Sequence, residues 1–229
     1  MKIIIAGLMI FFSSFLYAEL EFRNVGWNNY KWGDGKYFIN DVLVYKKPVD
    51  VVPDESTAYE DKCWSENGVY ALAMFSNIVT LRTAGNETCS GMARPNHWAD
   101  ITSYRVENGA VKQVSLNDLF PENVILEQLY QDSYLRKKYP ENTRENIKKD
   151  FEKVHEVCEA VDKSTLNNFV IHYVNGEQVA VRLFLRTCGN AAVKLTKQIG
   201  FYLPAYGTLL EEIKLSSENK LLMNSLSPD

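Results

Sequence analysis

The stretch ADITSYRVENGAVKQV, residues 99–114, decides how the chain is read. Strand-forming residues run over 99–106 and again over 111–114, with Glu107-Asn108-Gly109 between them. Asn-Gly accepts the left-handed backbone that a two-residue hairpin turn demands, which makes this the strongest short-range hairpin signal in the chain. Working outward, residues 69–75 and 78–83 are two more β-rich runs joined at Ser76-Asn77, followed by a loop expected over 85–96. Toward the C-terminus, residues 169–174 and 179–186 flank Asn175-Gly176 as another hairpin, and 199–203 reads as a further strand.

Helices fall between these strand sets. Asn117 or Pro121 opens a helical stretch with Val124, Ile125, Leu129 and Leu135 inward, and Pro140 ends it. Thr143 caps a second helix, in which Ile147, Phe151, Val154, Cys158 and Val161 recur three and four apart on one face. A short helix is expected over 206–214, and the last dozen residues, rich in Ser, Asn and Lys, are expected to be loosely held. The sum is an α+β fold: an antiparallel sheet built from hairpins, with two helices between the N- and C-terminal strand sets.

The N-terminal part has its own character. Lys2, the apolar run 3–16 and Leu16-Tyr17-Ala18 form the pattern of a signal peptide cleaved after Ala18, which predicts a periplasmic or secreted protein. The run is shorter than the roughly 20 residues of a spanning helix, and no later segment approaches that length, so no transmembrane segment is expected in the mature chain. Residues 19–61 are aromatic and turn-rich, with one strand expected over 37–45 around a turn near Asn40-Asp41 and a polar link at Pro48 and Pro53. The expected organisation is thus a signal peptide over 1–18, an extension over 19–61, an α+β binding domain over 62–215 and a flexible tail over 216–229.

Cleavage leaves 24 basic against 29 acidic residues, a net charge of -5. That balance disfavours nucleic acid as a partner and favours a cationic one. Four cysteines in an exported chain are read as disulfides. Of the three possible pairings, Cys63 with Cys89 and Cys158 with Cys188 fits best, because each pair flanks a compact element. No CxxC or CxxH spacing occurs and His97, His155 and His172 are scattered, so neither a metal nor another cofactor is expected.

Arg94, Asn96, His97 and Trp98, with Asp100 nearby, form the densest functional-looking cluster, on a loop before a strand. His97 as a base oriented by Asp100 would suit an exported hydrolase of wall glycan or peptide. No Gly-x-Ser-x-Gly is present and every Cys has a partner in view, so no catalytic residue is assigned and the cluster is read as a binding surface. The aromatics Trp27, Tyr30, Trp32 and Tyr37 suggest a sugar platform less readily than the cover of a core edge. Acid pairs such as Asp54-Glu55, Glu60-Asp61 and Glu211-Glu212 read as solvated surface, as do the basic runs 136–138 and 148–149.

Tyr104-Arg105-Val106-Glu107-Asn108-Gly109 followed by Val114-Ser115-Leu116-Asn117-Asp118-Leu119-Phe120 resembles the extracytoplasmic domain of a lysozyme-sensing anti-sigma factor of Gram-positive bacteria. The same domain type occurs on some peptidoglycan deacetylases. Gly91-Met92-Ala93-Arg94-Pro95-Asn96 stands where that family tends to have a Gly-Gly-Ala-His-Pro-like loop. The resemblance implies an α+β fold and, for some members, binding to lysozyme or another wall-associated partner; taken with the acidic balance, the expected partner is lysozyme or another cationic envelope protein, or peptidoglycan.

Overall fold

A computed structural model of the chain describes residues 21–52, 62–92, 96–141, 143–152, 161–185 and 197–226. Its strands form three antiparallel sheets, and the fold is α+β. The first sheet is a meander of β1 (Glu21–Val25), β2 (Asn28–Gly33), β3 (Lys36–Ile39) and β4 (Val42–Lys46), in that order. Asn40 and Asp41 both take positive φ, +49° and +63°, between β3 and β4, as a twisted two-residue hairpin turn requires. The single strand expected over 37–45 is therefore two, and the turn-rich stretch before it contributes two more.

The second sheet has the order β5 (Cys63–Phe75), β6 (Ile78–Cys89), β7 (Asn96–Glu107) and β8 (Ala110–Val114). Successive side chains of a strand point to opposite faces. Met74, Val79, Leu81 and Val106 therefore pack against Val25, Tyr30, Tyr37, Ile39 and Val44 of the first sheet. Phe75, Ile78, Ile101 and Val114 face the larger core on the other side. The sheet is covered on both faces where it crosses these cores. Within it, Thr80 and Ser103 stand opposite one another, fully buried, and satisfy each other through a 2.8 Å hydroxyl hydrogen bond. Tyr30 Oη donates to the Ser76 carbonyl and Tyr37 Oη to the Val69 carbonyl, so the first sheet is tied to the second by polar as well as apolar contacts.

The third sheet has the order β11 (Lys197–Pro204), β10 (Gln178–Leu185), β9 (Phe169–Asn175). Its inner face, Ile171, Val179, Val181, Leu183, Ile199, Phe201 and Leu203, shares the larger core with Ile125 and Leu129 of α1 (Glu122–Gln131), Leu135 of α2 (Ser133–Lys138) and Ile147 and Phe151 of α3 (Thr143–Phe151). The helical stretch expected before Pro140 is thus two helices. Asp132 breaks it, with ψ at 133° and its carboxylate capping the Leu135 N–H at 2.9 Å. Leu116 and Phe120 are buried, and the Asp118 carboxylate accepts from the Ser115 N–H at 2.8 Å, so the quoted Leu-Asn-Asp-Leu-Phe stretch turns the chain from sheet to helix.

Two expectations about the ends of elements are corrected. Asn175 closes β9, and Gly176 with Glu177 forms the turn, whereas Asn108 and Gly109 themselves form the turn between β7 and β8. The C-terminal residues are not loose as far as Leu226. The final helices, α4 (Gly207–Glu218) and α5 (Met223–Leu226), bracket Leu221 and Leu222, both fully buried, and the Leu221 carbonyl accepts from the Met74 N–H at 2.8 Å. Cys158, Cys188, Val154 and His155 lie outside the described residues, as do Asp54-Glu55 and Glu60-Asp61.

Candidate functional site

Outward of Val69, Leu81 and Ile101, strands β5, β6 and β7 run on with no core beneath them. No side chain described in 63–70, 82–89 or 97–100 is buried. The ladder is unbroken to its end, with Cys63 opposite Cys89 and Asn96 opposite Glu87. The loop expected over 85–96 is corrected accordingly: strand pairing runs through Cys89 and resumes at Asn96. Gly85 and Asn86 are poor strand formers, so their conformation comes from the cross-strand ladder rather than from local preference.

A ribbon without a core needs other supports. Cys63 and Cys89 are joined by a disulfide across the strands, with Cα atoms 4.0 Å apart. The Ser90 N–H donates to the Lys62 carbonyl at 2.8 Å, so the next pair inward is of the non-hydrogen-bonded kind, in which side chains approach closely. The outer edge of β5, which would otherwise invite pairing with another chain, is occupied at intervals. Val51 exchanges hydrogen bonds with Ser65, the Asp50 carboxylate accepts from the Asn67 N–H at 2.7 Å, and Tyr37 reaches the Val69 carbonyl. The Lys47 ammonium, 2.8 Å away, and then the Asn67 N–H hold the Asp50 carboxyl below the usual carboxylate range.

Alternation sorts the ribbon's side chains onto two faces. One carries the disulfide, and there the Trp98 ring lies over Gly85. The other carries Trp64, Glu66 and Tyr70 of β5, Arg82 and Asn86 of β6 and His97 of β7. Trp64 is 41% and Tyr70 54% exposed. The Tyr70 ring leans back over Gly68, and Asn86 Nδ2 donates to Glu66 Oε2 at 3.2 Å. Asn86 is the cross-strand partner of both Glu66 and His97, so a carboxylate, an amide and an imidazole stand in one row. Gly68, Ala84 and Ala99 form a low row beside it, and Tyr70 and Arg82 rise on its far side.

The expected cluster is therefore divided. His97 belongs to the Trp64 and Tyr70 face, Trp98 to the opposite one, and Asn96 opens β7, while Arg94 lies outside the described residues. Asp100 points away from His97, so the pairing of base and orienter is not formed. Sequence reasoning passed over Trp64, Glu66 and Tyr70. The period-two spacing of Trp64, Glu66, Gly68 and Tyr70 was the available signal. Tyr30 and Tyr37 are core residues and Trp32 packs on that core, as the core-edge reading of these aromatics expects, and of the four only Trp27, 99% exposed, lies free. Burial, and secondarily the charge of Glu212, pushes the Tyr30 phenol far above its usual value.

Among the described residues no three His, Cys, Asp or Glu side chains converge as metal ligands would, and no helix is long and apolar enough to cross a membrane. Fold and surface together define a disulfide-stapled α+β protein whose central sheet outruns its core as a β-ribbon. Models of known protein families, curated proteins and solved structures offer no match to the chain.

Proposed function

We propose that the protein is an exported, non-catalytic binding protein of the cell envelope that meets its partner on the ribbon face carrying Trp64, Tyr70 and His97. The observation that carries this reading is the ribbon itself. A three-stranded extension in which no described side chain is buried, stapled at its end and guarded along its β5 edge, adds surface without adding core. Exposed Trp and Tyr beside Arg and a hydrogen-bonded polar row are the residue types that dominate binding energy at interfaces. A disulfide at the end of a ribbon suits an oxidising compartment, in line with the export pattern of residues 1–18. The acidic balance of the chain suits a cationic partner such as lysozyme, and peptidoglycan is the second candidate.

The test uses the mature chain with lysozyme and intact sacculi as baits. Wild type is expected to be retained by one of them, and a Trp64→Ala, Tyr70→Ala variant of unchanged thermal stability to lose at least tenfold in affinity. Equal retention of wild type and variant would move the interface off this face. Retention by neither bait would reject both partner classes. N-terminal sequencing of protein recovered from cells checks export, with Glu19 the expected first residue.

A further inference from the structure

The outer face of the third sheet holds a second group of polar side chains, remote in sequence from the ribbon. Its origin is a β-bulge. Ala180 pairs with Tyr173 but Val181 pairs with Ile171, so His172 is an extra residue in β9 with no partner across the ladder. Neighbours in a regular strand point to opposite faces. Here the rings of His172 and Tyr173 meet edge to face with centroids 5.1 Å apart, so the bulge has re-aimed one of them and gathered both on one side.

Tyr173 and Tyr202 both pair with Ala180, one from each neighbouring strand. Their hydroxyls hydrogen-bond to each other across it, with ring centroids 6.1 Å apart. Two residues along β10 on the same face stands Arg182, whose Nη1 donates to Gln198 Oε1 at 3.1 Å. Its partner in register on β11 is Gly200, and a Cβ placed there would meet nothing nearer than the Val181 carbonyl at 4.0 Å. The face therefore has a hollow over Gly200, walled by Tyr202, Arg182 and Gln198.

The chemistry of the hollow is that of a donor set. Arg182 has five N–H donors and no acceptor, and one is spent on a neutral amide. Among the described residues it forms no ion pair, although the chain holds more acids than bases. The bond between the two tyrosines uses one hydroxyl proton and leaves the other free to donate. That bond foremost, and burial next, raises the Tyr173 phenol above its usual value, so it keeps its proton. Burial and then the Arg182 charge lower the His172 imidazole, which leaves Arg182 as the cation of the group. The guanidinium fork can meet an oxyanion with two parallel hydrogen bonds, and one fixed positive charge balances one negative charge, which a carboxylate carries.

We infer that the hollow over Gly200 binds a carboxylate, held by Arg182 and a tyrosine hydroxyl, with the body of the ligand resting on Tyr202. Tyr202 is 39% exposed, so a flat or aliphatic body has a surface to cover. The site lies on a different sheet from the ribbon and does not depend on it.

Benzoate is the probe, followed by its effect on the aromatic NMR signals of Tyr173, Tyr202 and His172 in the mature protein. Saturable shifts in the millimolar range are expected, as befits so small a ligand. Benzamide, the same shape without the charge, should give none. Arg182→Gln is expected to weaken benzoate roughly tenfold or more, and Gly200→Val, which fills the hollow and leaves Arg182 in place, to abolish it. Equal shifts with benzamide, or an Arg182→Gln variant that binds as wild type does, would overturn the inference. Inorganic phosphate that competes more tightly than benzoate would overturn the assignment to carboxylates.

Discussion

The indole of Trp98 lies so close over Gly85 that a Cβ on Gly85 would fall 2.6 Å from the ring and 2.7 Å from the Glu66 carbonyl. Glycine is needed there for space, since an aromatic ring and a neighbouring backbone already fill the position. The ring in turn covers backbone that a glycine leaves bare, a recognised way of stabilising glycine in a sheet.

Gly85→Ala is accordingly expected to destabilise the protein by about 1–3 kcal/mol, as overpacking does. Urea denaturation followed by tryptophan fluorescence measures it. An unchanged midpoint would mean that Trp98 moves aside freely and is no support of the ribbon.

Replacing Cys63 and Cys89 together by Ala removes a cross-link between residues 26 apart in sequence. Loop-closure entropy sets the expected loss at roughly 3 kcal/mol. Because the ribbon has no core, the effect should be local: amide hydrogen exchange should speed up in the ribbon strands while β9 to β11 keep their protection. Uniform acceleration in all three sheets would count against a locally stapled ribbon.

Asp50 makes the edge cover of β5 sensitive to acid. Lys47 first, and the Asn67 N–H second, hold its folded carboxyl below the value of an unfolded one. The stabilisation is therefore complete above the unfolded pKa and is lost as the pH falls through the lower folded value. The Asn67 amide resonance should shift on titration below about pH 4, where carboxylates begin to take up protons. Asp50→Asn should abolish that step.

Leu221→Ala should cost about 2–5 kcal/mol, the range for a fully buried leucine. Thermal unfolding measures it, and a change below 1 kcal/mol would show that the C-terminal segment is dispensable to the core.

Much of the fold was legible because its signals are local. The Asn108-Gly109 turn, the strand runs beside it and the spacing of Ile147 and Phe151 each depend on residues only a few positions apart. The candidate site was less legible. Reading 85–96 as a loop placed His97 and Trp98 side by side, and with a loop there is no alternation to part them. The wider face went unseen because Trp64 and Glu66 count as strand residues only once β5 is known to continue back to Cys63.

By itself the sequence determined the α+β class and the turn that Asn108 and Gly109 close between β7 and β8, because backbone preference and apolar periodicity act within a turn or two of chain; it favoured Cys63 with Cys89 among three pairings, and the β5–β6 register brings the two together. Only the tertiary structure decided that β5 to β7 outrun their core, that His97 and Trp98 part, that a bulge gathers His172 with Tyr173, and that Leu221 is buried. Those outcomes rest on cross-strand and cross-sheet partners, ten residues apart at the bulge, Ile171 to Val181, and much farther elsewhere. Arg23 donates to the Asn219 carbonyl 196 residues away, and Tyr30 to that of Ser76 46 away. No local pattern encodes which distant strand or carbonyl will be there to receive them.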